Sequence, residues 1–60
     1  MKKFDVLVRD NVNDRYYSTQ VQAENKANAA KYALDYLVIL DIVERENMSI
    51  VDIKRVTQHT

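Results

Sequence analysis

The sequence predicts an α+β fold of order β-β-α-β: a three-stranded antiparallel sheet, strand order 2-1-3, with one long helix packed on one face. Three observations predict it. Two stretches near the start alternate apolar and polar residues with the period of a half-buried strand. The stretch NKANAAKYALDYLVILDIVERE carries apolar residues at helical spacing. The stretch SIVDIKRVT is rich in β-branched residues, which favour strands.

The first strand is expected over about residues 3–10. Phe4, Val6 and Val8 share one face, Asp5 and Arg9 take the other, and Leu7 is the apolar exception pointing outward. Asp10, Asn11, Val12, Asn13 and Asp14 follow, a cluster of residues that form turns and tolerate the left-handed region. The second strand, residues 15–23, sets Tyr17, Thr19, Val21 and Ala23 against Tyr16, Ser18, Gln20 and Gln22. A loop over 11–14 brings Asp10 opposite Arg15, Val8 opposite Tyr17, Val6 opposite Thr19 and Phe4 opposite Val21. A slip of one residue would turn one strand's apolar side chains to the wrong face, so the matched faces fix the register. On the outer face the same register sets Arg9 across from Tyr16, a candidate cation–π pair.

The helix is expected over about 26–44, with Asn25 as N-cap because its side-chain carbonyl can accept an orphan amide of the first turn. Two apolar stripes run along it. Ala27, Ala30, Leu34, Leu37 and Val38 form the stripe expected to face the sheet. Ala29, Tyr32, Tyr36, Ile39 and Val43, with Leu40 beside them, form a second, at the spacing of a seam between paired helices. A domain of this size buries only about 60% of the surface of its extended chain, so no further layer is expected to cover that second stripe. It is therefore expected to form a homodimer interface. Near the helix end, Asp41 and Arg45 are spaced to form an (i, i+4) ion pair.

The third strand is expected over 49–57. Val51 and Ile53 share a face there, and Ile50 and Val56 join it only through a bulge. A right-handed crossover from the second strand lays the third on the far side of the first, which gives the order 2-1-3. Gln58, His59 and Thr60 are expected to fray.

Composition narrows the function. Sixty residues suffice for one domain with little room for an enzyme-sized cavity. Nine basic and nine acidic side chains cancel, which disfavours both a general nucleic-acid binder and an acidic DNA mimic. Gly, Pro and Cys are absent, which excludes glycine-rich phosphate loops, disulfides and thiolate metal sites. Such a chain is compatible with a reducing cytoplasm. The start MKKFDVLVRD places lysines before an apolar run, but Asp5 and Arg9 interrupt that run, so it is read as a strand and not a targeting segment. No stretch approaches the length of a membrane span.

No catalytic, metal or cofactor site is expected. His59 is the one His, and nucleophilic catalysis needs a base held in reach. Asp10 and Asp14 lack the ligand ladder of a calcium loop, and the acids of the helix have nothing to desolvate them. What remains is a non-enzymatic protein-binding module, homodimeric through the outer helix face, that modulates or inhibits a larger protein. Its target-facing surface is expected at the acidic helix end, Asp41, Glu44 and Glu46, or on the outer sheet face around Arg9 and Tyr16. In size and composition the chain resembles small accessory proteins of phages and mobile elements, some of which inhibit host defence or host enzymes. The alternative is a small nucleic-acid-binding protein using the outer sheet face, with Lys3, Arg9, Tyr16 and Lys54 or Arg55.

Overall fold

A computed structural model describes residues 1–57. The elements are β1 (Lys2–Asp10), β2 (Arg15–Ala23), α1 (Lys26–Ile39), a 3₁₀ turn (Arg45–Asn47) and β3 (Met48–Val56). The sheet is antiparallel, in the order β2-β1-β3, and α1 connects β2 to β3. This is the expected α+β architecture. Gln58, His59 and Thr60, expected as a frayed end, lie outside the described residues.

The hairpin takes the register that its alternation demands. Phe4 pairs with Val21, Val6 with Thr19, Val8 with Tyr17 and Asp10 with Arg15, without irregularity along the strands. Phe4, Val6 and Val8 are buried, and they meet Ala29, Ala33 and Leu37 of α1 together with Ala23. Tyr17, Val21, Leu34, Met48, Ile50 and Ile53 close the margins of this core. The molecule measures 39 × 17 × 17 Å, so its short axes hold one sheet and one helix and no third layer.

Among the described residues Asp10 is the one polar residue in the buried set, at the junction between β1 and the loop. Its Oδ1 accepts from the backbone N–H of Val12 (3.0 Å) and of Asn13 (3.2 Å), and its Oδ2 accepts from Asn13 Nδ2 (2.9 Å). A carboxylate satisfied in this way can be buried without an unpaired charge inside the fold. With no Gly available, Asp14 takes the left-handed position of the loop, at φ 54°. The loop is also tied to the start of β3 at the same end of the sheet: Asn11 donates its backbone N–H to the Asn47 carbonyl (2.8 Å) and its Nδ2 to Ser49 Oγ (2.8 Å).

The helix is shorter than its apolar periodicity predicts. It starts as expected, with Asn25 Oδ1 accepting from the Asn28 N–H at 2.8 Å. It ends at Ile39 rather than near residue 44, closed by the N–H of Asp41 on the Val38 carbonyl (2.9 Å) and of Ile42 on the Leu37 carbonyl (3.1 Å). That pair of bonds is a Schellman stop, with Asp41 at φ 57° in the position where helices usually place Gly. The expected Asp41–Arg45 ion pair does not form, because the two residues are no longer one helical turn apart. Arg45 instead pairs with Asp35, on the body of α1.

The third strand corrects the expected face. Leu7 pairs with Asp52 and Val8 with Ile50, so Val51 is the extra residue of a β-bulge. Ile50 and Ile53 therefore both turn inward, Val51 is exposed, and Val56 falls opposite Lys3 on the outer face.

Candidate functional site

The most conspicuous exposed apolar surface lies on one flank of α1. Tyr32 is 44%, Tyr36 50%, Ile39 79% and Leu40 48% exposed. Two residues expected with them are inside: Ala29 is fully buried and Val43 is 8% exposed. For Ala29 the cause is the helix rotation. The inward line is Ala29, Ala33 and Leu37, with Ala30 and Leu34 half-buried beside it, whereas Ala27 and Val38, expected inside, are exposed. For Val43 the cause is the helix stop, which carries the chain out of the helix before Val43 is reached.

The tyrosine row therefore does not lie opposite the core. Successive residues turn by about 100°, which puts Tyr32, Tyr36 and Ile39 roughly a quarter-turn from the buried line, on the flank next to Ala29. That flank overhangs β2. Tyr32 and Tyr36, together with residues 18–22, line an open groove of about 700 Å³ between the helix and the sheet margin. Because β2 is the outermost strand on this side, the groove runs along unpaired backbone. Residues 18–22 were not legible as a site from hydrophobic periodicity; the available signal is that residues 16–23, YYSTQVQA, contain no charge.

The acidic residues Asp41, Glu44 and Glu46 are all exposed, around the turns that follow α1. Among the described residues, the ion pairs are Arg9–Asp14 and Arg45–Asp35, so none of these three acids is in one. Arg9 and Tyr16 are opposite each other as expected, but the guanidinium is directed to the turn, with Nη2 and Nε donating to Asp14 Oδ1 at 2.8 and 3.1 Å. This contact raises the Arg9 pKa further, first through the hydrogen bond and then through charge. Lys54 stands opposite Asp5 on the outer face, whereas Arg55, opposite Phe4, belongs to the helix side. The outer face thus mixes both signs of charge.

The chain matches no family model, no curated protein and no solved structure at a significant level. Two further observations bear on chemistry. Among the described residues no group of three or more His, Cys, Asp or Glu is placed to hold a metal ion, and no helix is long and apolar enough to cross a membrane.

Proposed function

We propose that the protein is a non-enzymatic binding module that pairs with a second copy through the exposed flank of α1 and acts by occupying a larger protein. The observation that carries this reading is the contiguous row of Tyr32, Tyr36, Ile39 and Leu40 left uncovered by a molecule with no layer to spare. Large apolar side chains clustered on one face are the usual mark of an interface, and tyrosines anchor interfaces well because they bury much area at little entropic cost. Asp41, Glu44 and Glu46 remain free at the end of the same helix to meet a basic target surface. Modulation or inhibition of a host enzyme or defence protein in the cytoplasm is the role we assign.

The test is the molar mass in solution. Light scattering at micromolar concentration is expected to give twice the 7.0 kDa chain mass, and Tyr36→Asp is expected to restore the single-chain value. A wild-type chain that stays at the single mass would overturn the dimer. Capture from lysate with Glu44→Lys as control would then identify the target.

The alternative is nucleic-acid binding at the sheet. Lys2, Lys3 and Arg55 line a cleft of about 300 Å³ at one end of it, which supports this reading. It predicts oligonucleotide binding that weakens steeply with salt and is lost in Lys3→Glu, which reverses a charge of that cleft. A chain that shifts no labelled oligonucleotide at low salt does not work this way.

A further inference from the structure

We infer that the free edge of β2 pairs antiparallel with β2 of a second copy, about a two-fold axis through Thr19, to join two three-stranded sheets into one of six strands. The inference rests on the reading that the Tyr32/Tyr36 flank meets a second copy, and it specifies which backbone the two copies share.

The two outer edges of the sheet differ in kind. β3 carries Asp52, Lys54 and Arg55 together with the bulge at Val51, devices by which natural sheets resist strand addition. β2 carries a charge only at its first residue, Arg15, and has no bulge. From Tyr16 to Ala23 it has no charge and no proline, and its pairing with β1 runs the whole strand without a bulge. An unprotected edge beside a row of exposed tyrosines is a surface built to be covered.

The identity of the strand that covers it follows from self-complementarity. A two-fold axis normal to the sheet keeps both helices on one face and pairs residues whose numbers sum to twice that of the central residue. Centred on Thr19, the middle of β2, it pairs Arg15 with Ala23, Tyr16 with Gln22, Tyr17 with Val21, Ser18 with Gln20, and Thr19 with itself. Every pair joins residues of the same face, none sets like charges together, and the aromatic–β-branched and Thr–Thr pairs are of the stabilising kind. Arg15 also comes beside Glu24, the next residue after Ala23. The same operation on β3 would set Asp52 on Asp52.

The helices then fit. Six strands at about 4.8 Å spacing make a sheet roughly 24 Å wide between outer strands, room for two helices about 10 Å across. The flanks that overhang β2 meet above the axis, so Tyr32 and Tyr36 of the two copies close the groove from both sides. Each half-exposed tyrosine contributes about 100 Å². With the strand edge the contact reaches roughly 600 Å² a side, the lower range of specific interfaces.

Pairs of single-cysteine variants read the register directly, since the natural chain has no thiol. Ser18 and Gln20 are both exposed, so Ser18→Cys and Gln20→Cys leave the core intact. Opposed positions lie within disulfide reach, whereas each residue and its own copy are diagonal neighbours about 7–8 Å apart and beyond it. Mild oxidation of an equimolar mixture is expected to yield the mixed disulfide several-fold over either symmetric one. Equal or dominant symmetric products, or no cross-link between the two cysteine variants when the wild type is dimeric and Tyr36→Asp is monomeric, would overturn strand pairing and leave the helix interface standing. A single-chain mass for the wild type would remove both, leaving the edge open to an extended segment of another protein.

Discussion

Asp10 is a carboxylate where a small domain would ordinarily keep hydrocarbon, and its surroundings explain why it can stay charged. The hydrogen bond from the Asn13 side chain holds its pKa below the usual carboxylate range, helped by the Asn13 and Val12 amides and by Arg15, while burial works in the opposite direction. A depressed folded-state value means that the contribution to stability is complete above the unfolded-state pKa of about 3.9 and is lost as pH falls through the lower folded value. The unfolding midpoint is therefore expected to hold steady from neutral pH to about pH 5 and to fall in stronger acid. Asp10→Asn is expected to lower the midpoint at pH 7 and to flatten the acid decline, as thermal melts from pH 2 to 7 would show. Asp41 makes the complementary case: it takes a left-handed conformation that costs an ordinary side chain about 1–2 kcal/mol, less for Asp. Asp41→Gly is expected to raise stability by about 0.5–1 kcal/mol in chemical denaturation, because the helix stop demands that conformation. The clustering of Asn and Asp made the turn at 11–14 legible in the sequence; which of them would be buried was not, since Asp10, Asn11, Asn13 and Asp14 share the same turn chemistry.

Hairpin and helix differ in how much their sequences determine. Strand alternation has a period of two, so a wrong register is wrong at every position, and the register of β1 with β2 could be read in full. The helix offers no such check. In KANAAKYAL the alanines at 27, 29, 30 and 33 are equivalent in hydropathy, and the sheet selects Ala29 and Ala33, leaving Ala27 exposed. The extent of the helix was obscured by the continuing apolar residues Ile42 and Val43, which serve the turn after the Schellman stop. The rotation has a measurable consequence. Ala33→Leu forces extra methylenes between helix and sheet and is expected to cost about 1–3 kcal/mol. Ala27→Leu, on the exposed side, is expected to stay within about 0.5 kcal/mol. Equal losses for the two variants in urea titrations would mean that the inward line is not the one described.

At the scale of the whole molecule, one sheet and one helix leave little reserve. Domains of about this size are marginal when alone, and association then becomes part of their stability. If the tyrosine flank is covered by a second copy, unfolding is coupled to dissociation, and the melting temperature is expected to rise with protein concentration. Calorimetric scans at about 5 and 500 µM would show the rise; superimposable scans would argue for a self-sufficient chain. The site itself was half legible. Four aromatic and aliphatic residues of the row could be named from helical spacing, but the strand beneath them could not, because an edge is a property of sheet order and not of any single segment. The bulge at Val51 sets a limit on this architecture. Once the β2 side is taken, each remaining margin ends in a kinked strand with Asp52, Lys54 and Arg55 along it, a poor template for another strand. If the two copies pair through β2, growth would terminate at two subunits, and the assembly is expected to stay dispersed at high concentration without threading into fibrils.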